Sequence, residues 1–226
     1  MAVKTYSYKK SADTKLSTHF KVKEFRCKDG SDKILIDSDL VELLEKVYKH
    51  FNASSISITS AYRTPSHDKR VGGKGSGNHV EGKAADFKVY NKKKELIPSK
   101  EIALYLEDIG AKGIGYRCGG SSTATHVDVN YRTKNWYGDE KKSMSASIGK
   151  SFYDYLDVDY STKTIKVTTS LKVRKEPGLN GKTVKKLPNK AKIQVANTME
   201  ITKDNLTWVR VKLDGEHYWV AKKYLK

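Results

Sequence analysis

Cysteine is scarce in this sequence: its 226 residues include two, Cys27 and Cys118. That excludes a small fold stapled by several disulfides. Neither cysteine has the CxxC spacing of a structural zinc knuckle. Two reduced, partly buried thiols are expected, and the sequence leaves a single Cys27–Cys118 bridge open. Long apolar runs are also missing. No stretch approaches the roughly 20 apolar residues of a membrane-spanning helix. The first residues, MAVKTYSYKK, have charge but no apolar segment, so no secretory signal peptide is expected. Acidic residues are the third shortage, with 26 Asp and Glu against 44 Lys and Arg, a formal net charge of +18. The excess is uneven: Ser161 to Lys226 holds 16 basic against 5 acidic residues, or +11. This implies a polyanionic partner or environment. Nucleic acid, an anionic membrane and an anionic bacterial wall all satisfy it, and charge alone does not choose among them.

What is present suggests two domains. Hydrophobic residues make up 37% of the chain, enough for compact cores. Ser7 to Thr14 is polar and reads as a surface loop, and Phe20, Val22 and Phe25 read as a packed edge. Asp37, Ser38 and Asp39 offer helix-capping oxygens, with Glu42 placed for a capping box with Asp39. Leu40, Val41, Leu44, Val47 and Phe51 then recur at helical spacing, predicting a helix over Asp39 to Phe51. Ser55 to Ser60 alternates and predicts a strand. Tyr62 to Gly82 is rich in Gly, Lys and His and reads as a long, functional loop. Strand character returns over Ala84 to Tyr90. A second helix is expected from Pro98 to Ile109, stopped by Gly110, followed by short strands over Gly113 to Tyr116 and Thr125 to Asn130. The fold class is α+β, since helices are too few for an alternating βαβ chain. Ser145 to Ser161 reads as a short helix and linker. Beyond it, short β-like runs between Pro-Gly, Asn-Gly and Asp-Gly turns predict a small all-β barrel. The expected division is residues 1–150, a linker over 151–162, and 163–226.

Two of the six histidines stand out. His79 is followed by Asp86 in GNHVEGKAADFKV, and His126 by Asp128 in THVDVN. His126 and Asp128 are two apart, so on a strand they share a face. A catalytic zinc takes three ligands drawn from His and Asp or Glu and leaves one position open. The spacing His-x6-Asp is weak by itself, because a polar-loop histidine is usually just solvated.

The neighbouring residues add more. SAYRTPSHDKRVGGKGSGNHVEGKAADF, with THVDVNYRTKNW and the earlier LSTHFKVKEFRCKDGSDKILID, closely resembles the zinc-dependent D-Ala-D-Ala carboxypeptidase and L-Ala-D-Glu endopeptidase family of peptidoglycan peptidases, in its phage-lysin-like branch. The resemblance covers about residues 16 to 137. It implies a Zn2+ cofactor held by His79, Asp86 and His126, with Arg63 engaging a substrate carbonyl or carboxylate. Gly72 and Gly73 match a family turn, and Trp136 matches a tryptophan that follows the HVD strand. The sequence departs from relatives at Gly77, where many have Ser, at Thr123, where some have an acid, and at Ala124, where some have His. The general base therefore stays open. Asp128 leads because it shares a face with His126, but orienting that histidine is its equal alternative. Glu81 and His67 are weaker candidates.

At the other end, LKVRKEPG, TWVRVKLDG and YWVAKKYL resemble a bacterial SH3 domain of the wall-binding type. Lys172 and Tyr218 replace the usual Asn and Gly. The resemblance implies wall binding, with Trp208, Tyr218 and Trp219 as flat contact surface, although a core role for Trp208 and Trp219 is the competing reading. The combined resemblance implies an endolysin-like hydrolase made in a host cytoplasm and acting on a Gram-positive wall after release. Its partner would be peptidoglycan, with no nucleic acid and no stable membrane insertion. An amidase-like hydrolase and a non-catalytic wall-binding protein are the alternatives.

Overall fold

The computed structural model describes residues 2–118, 123–131, 136–139, 144–147, 151–156 and 158–226. The chain forms two compact units, Met1–Phe152 and Tyr153–Lys226. Among the described residues, no helix is long and apolar enough to cross a membrane.

The first unit begins with strand β1 (Val3–Ser7) and the short helix α1 (Tyr8–Ser11). The polar segment from Ser7 is therefore structured rather than a loop: β1 pairs antiparallel with β2 (Lys33–Asp37), and the Tyr8 amide donates to the Asp32 carbonyl. Between them a 3-10 turn (Val22–Phe25) buries Val22 and Phe25, and Phe20 packs edge-on to Phe25.

Helix α2 (Ser38–His50) follows β2 directly. Its N-cap is Asp37, whose carboxylate accepts from the Asp39 amide at 2.9 Å, so the expected Asp39–Glu42 box does not form. Glu42 pairs instead with Lys46 one turn on. Leu40, Leu44 and Val47 are buried, as the spacing predicts.

Six strands form the central sheet of the described residues, in the order β3-β4-β6-β5-β7-β8. They are β3 (Ser55–Ser60), β4 (Ala84–Tyr90), β5 (Gly113–Cys118), β6 (Ala124–Asp128), β7 (Trp136–Asp139) and β8 (Met144–Ser147). The sheet is mixed, because β5 and β7 run parallel while the other pairs are antiparallel. Helix α3 (Pro65–Arg70) interrupts the expected Tyr62–Gly82 loop, with the Thr64 hydroxyl accepting from the His67 amide. Helix α4 (Ser99–Asp108) packs on β5 and β6 and buries Ile102, Leu104 and Leu106. It ends at Gly110, as expected, with the Gly110 amide donating to the Glu107 carbonyl. Cys27 and Cys118 are buried free thiols, so the bridge the sequence left open does not form.

In the expected stretch from 145 to 161, residues 148–150 and 157 lie outside the described residues. The rest holds β8, helix α5 (Phe152–Tyr155) and the start of β9 (Tyr160–Thr164). β9 pairs along its whole length with β12 (Lys192–Ala196), so it belongs to the second unit's sheet.

After α5 that second unit is built of strands and one closing 3-10 turn (Lys222–Tyr224). It adds β10 (Ser170–Arg174), β11 (Thr183–Pro188), β13 (Ile201–Lys203), β14 (Leu206–Leu213) and β15 (Glu216–Ala221). The strand order is β11-β10-β15-β14-β12-β9, with β13 on β14. One face of the sheet is apolar: Leu171, Val173, Ile193, Val209, Val211 and Val220 form its core. By alternation, Trp208, Arg210 and Trp219 face the other way.

Candidate metal centre

The sheet register assembles the site. Asp86 on β4 lies directly opposite His126 on β6, and Ser60 on β3 lies opposite Asp86. On the other flank, Gly115 of β5 faces His126, and Gly138 of β7 faces Gly115. One row across five strands thus carries hydroxyl, carboxylate and imidazole side by side on three of them, followed by two glycines. The glycines continuing the row are sterically required. A Cβ on Gly115 would sit 2.6 Å from the His126 Cβ, and one on Gly138 would sit 2.8 Å from the Trp136 ring. Trp136 stands edge-on to His126, with centroids 5.7 Å apart, and walls that side.

His79 arrives from the loop after α3. Its Nδ1 lies 2.7 Å from the Ala61 carbonyl, which accepts only from a protonated nitrogen. Nδ1 therefore carries a proton, and Nε2 faces Asp86 Oδ1 at 3.4 Å. His126 presents the opposite edge. Its Nδ1 lies 2.8 Å from Asp86 Oδ1, and its Nε2 lies 3.6 Å from Asp128 Oδ2. Among the described residues, His79, Asp86 and His126 form the group whose donor atoms all lie within 4.8 Å of one another. Asp128, Glu81 and His67 fall outside it. Asp128 sits at the far nitrogen of His126 and also accepts from the Asn130 amide. Glu81 pairs with Lys83, and His67 Nδ1 lies 2.8 Å from an Arg70 nitrogen.

Arg63 enters the same group from below. Its Nε donates to Ser60 Oγ at 2.8 Å, Nη1 to Asp68 Oδ1 at 3.3 Å, and Nη2 to Asp86 Oδ2 at 2.9 Å. The residue expected to touch substrate therefore also fixes a candidate ligand. Among the described residues, three of its five N–H groups are used and two remain.

Sequence reasoning missed Asp68. It is buried at 5% exposure and accepts from both Arg63 and the Gly75 amide, tying the glycine loop to the guanidinium. Asp68 is one of several polar residues in SHDKR, and its local signal does not distinguish it. Cys118 was also unforeseen here, with its thiol 3.9 Å from Asp86 Oδ1.

The charges in this nearly dry site sustain one another. Burial raises the Asp86 pKa, but hydrogen bonds from His126 and His79 and their charge outweigh it and hold Asp86 far below the ordinary carboxylate value. Burial opposes a charged His126, but hydrogen bonds to Asp128 and Asp86 outweigh it and push the imidazole up to about 9. Two carboxylates thus favour a cation between them.

A divalent metal fits this donor set. Tetrahedral zinc with ligand bonds near 2.0–2.1 Å separates its donor atoms by about 3.3 Å. The 3.4 Å from His79 Nε2 to Asp86 Oδ1 matches that spacing. The 2.8 Å from His126 to Asp86 is a hydrogen-bond length, as a protonated imidazole would make without a metal. Both histidines have their second nitrogen anchored to an acceptor, which fixes their ring orientation.

The aromatic residues expected to bind substrate in the second unit are placed differently. Trp219 is 1% exposed and has Arg210 over its ring, so its face is spent inside the fold. Tyr218 packs against the apolar core. Trp208 is 2% exposed, with Nε1 donating to the Lys203 carbonyl, and lines a cleft. Trp208 and Trp219 are thus buried and Tyr218 is half-buried, which leaves less flat surface than expected of the three. Alternation along β14 and β15 puts Trp208 and Trp219 on one face of the sheet and Tyr218 on the apolar one.

Comparison with known proteins agrees with this architecture. Residues 18–128 match the family model described as Peptidase M15, and residues 169–226 match the one described as bacterial SH3 domain. No curated protein matches the chain. The first stretch contains His79, Asp86 and His126 and ends on Asp128, and the second begins just before β10. The chain accordingly joins a domain of the M15 peptidase family, residues 18–128, to a bacterial SH3 domain, residues 169–226.

Proposed function

We propose that this protein is a zinc-dependent peptidase of bacterial peptidoglycan, of the endolysin type, that cuts a stem-peptide amide bond of the D-Ala-D-Ala or L-Ala-D-Glu kind and is held to the wall by its SH3 domain. The observation that carries this reading is the convergence of His79 Nε2 and His126 Nδ1 on one oxygen of Asp86, inside a peptidase-family domain.

Zinc, when bound, supplies a Lewis acid for the scissile carbonyl and a water of lowered pKa. His79, Asp86 and His126 would hold it. The Ala61 carbonyl keeps the His79 proton on Nδ1, so Nε2 is free to ligate. Asp128 does the same for His126 by facing Nε2. This position favours Asp128 as the positioning partner of His126 over Asp128 as general base. Arg63 steadies Asp86 through Nη2 and keeps two N–H groups for a substrate carbonyl or carboxylate. Asp68 holds the guanidinium in that pose. Trp136 screens His126 from water on one flank.

Zinc content and wall hydrolysis of the purified protein and of His79→Ala test this. About one zinc per chain, lost together with hydrolysis in His79→Ala, is the expected result. Full hydrolysis by a zinc-free His79→Ala protein would overturn the assignment. Zinc binding without any hydrolysis would mark a wall-binding protein with a structural metal.

A further inference from the structure

The SH3 unit has a cleft of about 250 Å³ between the start of β10 and β14. Leu171, Leu179, Leu206 and the edge of Trp208 make its apolar side. Its cations are Lys172 and Arg174, and no acidic side chain is among its described lining residues. Arg174 is 9% exposed and lies over the Trp208 ring at 5.9 Å. Its Nη1 donates to the Gly181 carbonyl at 2.6 Å and lies 3.3 Å from the Thr183 hydroxyl. Nε and Nη2 make no hydrogen bond among the described residues, and no carboxylate pairs with the guanidinium. Burying a guanidinium this far without an anion is costly. The free pair, Nε and Nη2, is the edge of arginine that grips a carboxylate through two parallel bonds.

We infer that this cleft is a binding subsite for a peptide carboxylate, gripped by the Nε/Nη2 edge of Arg174 with Lys172 beside it, the adjoining aliphatic side chain lying against Leu171, Leu206 and Trp208. A peptide fits better than a phosphodiester polymer. Half of the cleft is apolar, which suits short aliphatic side chains and leaves a phosphodiester polymer without polar partners there. The inference rests on the proposed function only for the origin of the peptide, an acidic wall stem peptide. Binding at the cleft is read separately from cleavage.

The test is a titration of the full chain, isotope-labelled, with acetyl-alanyl-alanine followed by nuclear magnetic resonance. The same peptide amidated at its C-terminus and inorganic phosphate are run in parallel. Saturable shifts of the Leu171–Arg174 amides, the Trp208 indole and the Arg174 Nε–H are expected. Affinity should fall at least about tenfold on amidation, as loss of a charge-assisted pair requires. Arg174→Lys keeps the charge but loses the fork and should weaken binding. Lys172→Gln, at an exposed position, should weaken it less and keeps the test valid if the buried variant does not fold. Three results would overturn the inference: no shifts at these residues, equal binding of the amidated peptide, or phosphate binding as tightly at the same residues. The last would make the cleft a general anion site. A protein that binds the peptide here yet leaves the wall uncut would contradict the proposed function and leave this inference standing.

Discussion

Asp86 and His126 each stabilise the other's charged form in the metal-free chain, and this gives the first unit a distinctive pH response. The His126 pKa is raised from 6.5 to about 9, so its contribution is fully present below 6.5 and lost as pH rises through 9. The Asp86 pKa is lowered from 3.8, so its contribution is present above 3.8 and lost as pH falls below that value. Chelator-treated protein should therefore be most resistant to urea between about pH 4 and 6.5, with resistance falling steadily towards pH 9. A flat urea midpoint from pH 6 to 9 would contradict the ion cluster. Asp128 is tested at the same scale. Asp128→Asn should cost about 10–100-fold in zinc affinity, as loss of an orienting partner does. If zinc affinity held and only turnover fell, Asp128 would be acting as a base. The candidate ligands His79, Asp86 and His126 were legible through the family resemblance of GNHVEGKAADFKV and THVDVN, since the spacing His-x6-Asp is weak by itself, and the fold brings the three together. Asp68, Ser60 and the Ala61 carbonyl were not. Their roles come from packing against Arg63 and His79, and no local pattern encodes that.

Regular elements were read well where one face is buried. α2 and α4 have apolar stripes, and β3 and β4 span the residues expected of them, β3 from alternation and the buried β4 from its strand character. Elements with little buried surface were missed. β11, TVKKLP, is an edge strand exposed along most of its length, so alternation has nothing to mark. β1 owes its strand to pairing with β2, and α1 is a single turn. The segment from Tyr62 to Gly82 hid α3 because its six residues are polar. Its importance gives an element-level contrast. Asp37→Ala removes the α2 cap and should cost about 1 kcal/mol with turnover unchanged. Asp68→Ala leaves the Arg63 Nη1 and Gly75 amide donors without their acceptor, at about 1–3 kcal/mol, and should also lower turnover while zinc content holds. Urea melts with metal analysis and hydrolysis rates on both variants separate the cases. Equal activity in the two would mean that the α3 loop does not position Arg63.

The whole chain combines a peptidase-family domain with a strongly basic SH3 domain, and its net charge is +18. The change from mixed to all-β pattern was readable in the sequence because turn residues and short alternating runs replace helical spacing. The position of the aromatic residues was not, since Trp208 and Trp219 look alike in sequence whether they face solvent or a packed layer. Binding to an anionic wall should weaken as salt rises from about 0.05 to 0.5 M, because screening shortens the reach of exposed lysines to a few ångströms. A pull-down on purified walls measures this, and salt-independent adherence would contradict a role for the exposed lysines in wall binding.

The central claim is tested most directly by mass spectrometry of purified Gram-positive peptidoglycan after incubation with the protein, with chelator-treated and zinc-restored controls. The account predicts new stem-peptide termini that vanish with chelator and return with zinc, and their masses identify the bond cut. An unchanged wall, from folded and zinc-loaded protein, would contradict it.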